Sequence, residues 1–299
     1  MSAAEADVVV GGPAAPTDRL PRTGRALPLR FLRSELQIVF GRRRNLALLG
    51  VLAAIPVLLA IAIKVSSGGD DGGGGGGPGF FEAITSNGLF VAFAALAATL
   101  PLFLPLAVAA ASGDAIAGEA NQGTLRYLLT IPAGRTRLLL TKYAAVVIFG
   151  LAATALVALA GVVSGLALFG GGDVILLSGT TTSFLDGVGR LALSVLYLSA
   201  CLAALGAIGM FVSTLTEQPI AAIVATIGVD VLMFILDSIS QLSWLHPWLL
   251  VDRWTAFGDL LRDPVSTDLI GQGLLVSLAY AVVFLAAAWA RFGSKDITS

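Results

Sequence analysis

Six stretches of this chain run for about twenty residues or more with almost no charge, and a run of that kind has few folds open to it. In hydrocarbon each backbone N–H and C=O must find a partner within the protein, which leaves helices and closed barrels. Uninterrupted apolar runs without strict alternation select the helix. The runs predict spans at about 45–64, 88–111, 143–169, 189–213, 219–239 and 269–290. The expected fold class is therefore an all-α integral membrane protein with six transmembrane helices, residues 45–291 forming the membrane domain. Composition agrees: 57% of residues are hydrophobic and 12% charged, too few charges to cover a soluble enzyme of 299 residues. A net charge of −1, with no basic stripe beyond the N-terminal segment, offers no track for nucleic acid. The one cysteine, Cys201, excludes an intrachain disulfide and a cysteine metal site.

Orientation follows from the basic residues, because short cytoplasmic loops retain Lys and Arg. With six spans, the ends share one side, and placing them inside puts fourteen of the eighteen Lys and Arg in the cytoplasm. Arg42, Arg43 and Arg44 then anchor entry into the first span. Residues 1–27, rich in Ala, Pro and Gly, read as a disordered cytoplasmic tail. Within 28–44, Leu29, Leu32, Leu36, Val39 and Phe40 recur every three or four residues, with Arg30, Arg33, Glu35 and Gln37 between them. That spacing predicts an interfacial amphipathic helix with its basic side toward lipid headgroups. Residues 292–299 form a short cytoplasmic tail. Outside, Ser66 to Gly79 reads as a flexible tether, while Trp244, Trp248 and Trp254 predict short helices at the membrane rim. Pro101 and Pro105 predict a kink in span two, and Gly161 with Gly165 a close helix approach in span three.

The most specific stretch joins spans two and three. Thr124 can cap a short helix on which Leu125, Leu128 and Leu129 share a face, and Pro132 disfavours helical geometry in Ile131 before it. On the cytoplasmic side such a leucine face needs lipid or a protein to cover it, and Glu119, Arg126, Arg135 and Arg137 can fix its orientation. A short cytoplasmic docking helix is expected.

In this loop the chain resembles the permease subunits of the type-2 ABC exporter family. The residues that carry the likeness are Glu119, Gly123-Thr124-Leu125, Leu128-Leu129, Pro132, Arg135 and Lys142, with support from the amphipathic helix before span one, the Ser213-Thr214-Leu215-Thr216 turn and the ending Phe292 to Ile297. It departs from the family at Asn121, Gln122 and Gly134. The resemblance implies that two permease chains pair, in a homodimer, and that each docks a cytoplasmic ABC ATPase, making two copies. Closure of the ATPases on ATP, with Mg, is transmitted through the loop, which acts as a coupling helix. Glu119, Gly123, Thr124, Leu125, Arg126, Leu128, Leu129, Pro132 and Arg135 are the coupling residues it implies. This chain has no G-x-x-x-x-G-K-[ST] loop and only three lysines, Lys64, Lys142 and Lys295, so it is expected to hold no cofactor and hydrolyse nothing itself.

Thr226, Asp230 and Asp237 are spaced by four and seven, on one face of span five, and suit a water-filled pathway, a subunit interface or a packing role. Apolar span faces suit a lipid or hydrophobic drug as cargo, and the two aspartates a cation. Asp114 and Glu119 read as solvated or loop-orienting groups. His246, the only histidine, reads as interfacial, and neither a catalytic residue nor a metal site is expected. Gly170-Gly171-Gly172-Asp173 matches the G-x-G-D of intramembrane aspartyl proteases but lacks its tyrosine-aspartate partner. The competing functional class is a secondary transporter or channel that uses its intramembrane acids without ATP. The expected location is the inner (plasma) membrane of a bacterium, multi-pass, among lipid and with no nucleic-acid partner; arginine in excess of lysine suits a high-GC genome.

Overall fold

The computed structural model describes residues 27–67, 87–123, 134–176 and 178–294. All of the expected N-terminal tail but Leu27, which opens the first helix, most of the glycine-rich tether, the docking helix from Thr124 to Ile131 and the last five residues lie outside them. The described chain is mostly helical: α1 (Leu27–Gly41), α2 (Arg43–Ser67), α3 (Leu89–Thr99), α4 (Phe103–Asn121), α5 (Arg135–Phe169), α6 (Phe184–Leu215), α7 (Pro219–Ser238) and α8 (Asp268–Ser294). Five of these, α2, α5, α6, α7 and α8, are long and apolar enough to cross a membrane. α3 and α4 meet that test only as a pair, bent by 58°. An expectation of helix alone missed one small feature, an antiparallel ladder between β1 (Val174–Ile175) and β2 (Thr181–Thr182) in the connection from α5 to α6.

The bend has a local cause. Pro101 has no N–H to donate and its ring clashes with the carbonyl four residues back, so the helix stops at Leu100. Pro105 falls in the first turn of α4, where a missing N–H costs nothing, and starts a helix rather than breaking one.

α6 and α5 form the centre. α6 packs on α4, α5, α7 and α8, and α5 on α1, α2 and α3 as well. Leu198, Leu202, Leu205, Phe149 and Phe90 are among the large side chains fully enclosed there. α2, α7 and α8 ring this core and keep rows of Leu, Ile and Val on their outer faces. α3 reaches the core through glycine. Gly161 lies against Ala92 and Gly165 against Gly88, so close that a Cβ on Gly165 would overlap the Gly88 carbonyl. The small-residue pair thus serves packing within the chain.

The two ends of the bundle can be told apart. Ser213, at the end of α6, hydrogen bonds to Gly113, Ile116 and Ala117 of α4, so the loop end of α4 and the start of α7 lie together. The far end of α7 leads into 3₁₀ helices at Ser240–Leu242, His246–Trp248 and Trp254–Leu261. At that same end, Asn87 donates to the carbonyls of Gly172 and Asp173 and accepts from Leu89 N–H. The protease-like Gly170 to Asp173 segment is therefore a docking strip for the start of α3.

Candidate functional site

Six charged residues meet where α1, α2, α4 and α5 come together at the loop end. Lys142, on α5, is 3% exposed and lies between two carboxylates. Its Nζ donates to Glu35 Oε2 on α1 at 3.0 Å and to Glu119 Oε1 on α4. Next to this pair, Asp114 of α4 receives Arg42, from the break between α1 and α2, and Arg44 Nη2 at 2.8 Å. Arg44 also donates to the Ala110 carbonyl at 3.0 Å. Three acids face three bases, and Glu35, Asp114, Glu119 and Lys142 are all buried. Burial pulls the Arg42 guanidinium down from its ordinary range, while the charges of Glu119 and Glu35 pull it back up. A cavity of about 20 Å³ lies among Glu35, Arg42, Asn45, Asp114, Glu119 and Lys142, the size of one water site.

Each member arrives for a local reason. On α1 a 3.6-residue period puts Glu35 beside Leu32, Leu36 and Val39, so the stripe that packs on α5 carries one acid inward. The sequence reading that placed Glu35 on the polar side is corrected by this geometry. Asp114 likewise is not solvated. It is the one charge of α4 between Phe103 and Gly118, and it draws Arg42 and Arg44 toward it, while Arg43 is exposed. At Gly118 a side chain would strike Asp114 Oδ1, so the small residue admits the ion pair.

The network closes the base of the loop between α4 and α5. α4 ends at Asn121, and Gly123 just beyond it has a φ of +68°, the left-handed conformation that glycine adopts freely. The chain reappears at Gly134, and α5 begins with Arg135. Glu119 and Lys142, one on each side of the loop, are joined by their buried bond. Arg135 donates to the Gly293 carbonyl at 2.7 Å, and Trp289 to Thr136 at 2.8 Å, so the loop's exit is also tied to the end of α8. Thr124, Leu125, Arg126, Leu128, Leu129 and Pro132 fall outside the described residues.

The intramembrane residues separate. Thr226 and Asp230 form one buried stripe with Ala222 on the side of α7 that meets α4 and α6. Among the described residues neither carboxylate oxygen of Asp230 has a hydrogen-bond partner. Asp237, about 10 Å further along the helix, lies instead at the opposite end of the bundle, beside His246 and Asp252. Equal facing on a helix did not mean one shared site.

Residues 76–298 match the DUF2705 family, described as proteins of unknown function. The chain belongs to that family. Among curated proteins none matches it. The DUF2705 match takes in Asp114, Glu119 and Lys142 and begins after Glu35, Arg42 and Arg44. One half of the charge network thus lies in the family region and the other half in α1, α2 and the break between them.

Proposed function

We propose that this DUF2705 protein is the permease subunit of an ATP-driven ABC exporter, moving its substrate by alternating access while a separate ATPase supplies the energy. In this reading the bent pair α3–α4 is one span, giving six. Both ends are cytoplasmic, α1 lies along the inner surface of a bacterial plasma membrane, and residues 124–131 form the coupling helix. Two chains pair, and each grips one ATPase, which holds ATP and Mg.

The observation that carries the reading is the Glu119–Lys142 bond with Glu35 behind it. A loop that passes force needs its two ends to move as one body, and the buried pair joins the helices that enter and leave it. Glu35 extends the same body to α1. These are the charged residues at either edge of the exporter-like motif, so the likeness and the geometry meet in the same atoms. The rival reading, an ATP-independent secondary transporter or channel, rests on Asp230, whose buried carboxyl has no hydrogen-bond partner among the described residues and suits proton exchange.

The test is purification from native membranes of the intact chain and of the Leu125→Asp/Leu128→Asp variant, followed by nucleotide hydrolysis assays. We expect an ATPase subunit to accompany the intact chain and to be lost from the variant. An intact chain that carries no hydrolase, and drives flux on a proton gradient alone, favours the rival.

A further inference from the structure

At the opposite end of the bundle three metal-ligand side chains converge from three separate elements: Asp237 from the last turn of α7, His246 from a 3₁₀ helix and Asp252 from the turn before Trp254. One ligand atom from each lies within 4.8 Å of the other two. Asp237 Oδ1 and Asp252 Oδ2 are both buried, and among the described residues neither has a hydrogen-bond donor aligned on it. His246 Nε2 lies 3.1 Å from the Ile239 carbonyl, which can accept from it and leave Nδ1 with the lone pair.

The surroundings hold these groups in place. Tyr280 of α8 donates to the Trp248 carbonyl at 3.0 Å and Tyr197 of α6 to the Arg253 carbonyl at 2.5 Å, fixing the backbone just after His246 and Asp252. Trp254 is 1% exposed and packs edge-on against Phe234 of α7. Arg253 Nε sits 2.9 Å from Asp252 Oδ2 without the alignment of a hydrogen bond.

We propose that Asp237, His246 and Asp252 bind a divalent first-row transition cation, with zinc the best fit, and that the ion fastens the segment 240–262 to the end of α7. Two carboxylate oxygens and one imidazole nitrogen are ligands that zinc takes in tetrahedral sites, the fourth position being left to water. Magnesium and calcium prefer all-oxygen shells and are poorer matches. The role is distinct from ATP coupling, because the three ligands lie at the end of α7 away from the charge network.

The experiment uses the full chain, purified without a polyhistidine tag, stripped with chelator and placed in lipid nanodiscs. Zinc is titrated in competition with a chromophoric chelator for the wild type, His246→Gln and Asp252→Asn. The expected result is one zinc per chain, with affinity reduced about tenfold or more in each variant. Because His246 is the only histidine, its modification by diethylpyrocarbonate, read by mass spectrometry, gives a second measurement on the wild type alone. Zinc is expected to block it. Failure of the wild type to bind stoichiometric zinc, equal binding by His246→Gln, or labelling unaffected by zinc overturns the proposal, and the labelling decides even where a variant does not fold.

Discussion

Lys142→Met removes the one cation held between Glu35 and Glu119 and leaves both glutamates in a place from which water is largely excluded. Breaking a buried ion pair by deleting one partner costs about 3–5 kcal/mol, mostly because the remaining charge is uncompensated. Arg42 is close enough to influence both glutamates, which argues for the lower end. A loss of about 3 kcal/mol is the working figure, a little over a hundredfold in the folded-to-unfolded ratio. The triple variant Glu35→Gln/Glu119→Gln/Lys142→Met strands no charge, and its loss should be less than half that of the single variant. The assay is unfolding in mixed detergent micelles, followed by tryptophan fluorescence, with Trp254 as a buried reporter. A Lys142→Met protein as stable as the wild type, or a triple variant no better than the single one, refutes the reasoning.

Gly165→Val should force α3 and α5 apart, at a cost of about 1–3 kcal/mol in the same assay, whereas Gly189→Ala, whose added methyl would meet no atom within 4 Å, should be neutral or slightly stabilising. Ser213→Ala removes a hydroxyl that bridges Gly113, Ile116 and Ala117 and should cost about 1–3 kcal/mol, read as a lower midpoint. Asp230→Asn should keep both stability and ATPase stimulation; loss of stimulation would mean that this acid belongs to the coupled machinery.

Much of this architecture can be read from apolar runs alone, because hydrocarbon leaves the backbone so few options. The break at Pro101 and the glycine contact at Gly161 and Gly165 were likewise visible, each resting on a local steric rule. The charge network was not. Glu35 is indistinguishable in sequence from an exposed residue of an amphipathic helix until α5 supplies Lys142 opposite it. Asp114 could be singled out as a lone acid in an apolar stretch, but nothing local says that its partners precede it by seventy residues. Asp237, His246 and Asp252 lack the short, regular spacing by which metal ligands on one helix are recognised; their meeting depends on how the 3₁₀ segments fold back over α7. Spacing in sequence reports faces of single helices, while sites are made where different helices meet.

The most direct test of the proposed exporter role is the ATP turnover of an ATPase that copurifies with this chain, reconstituted in nanodiscs and measured against the same preparation carrying Lys142→Met under conditions where both remain folded and associated. If the loop passes force through the buried bond at its base, turnover stimulation by the permease falls while the ATPase stays bound. Stimulation equal to that of the intact complex contradicts the account.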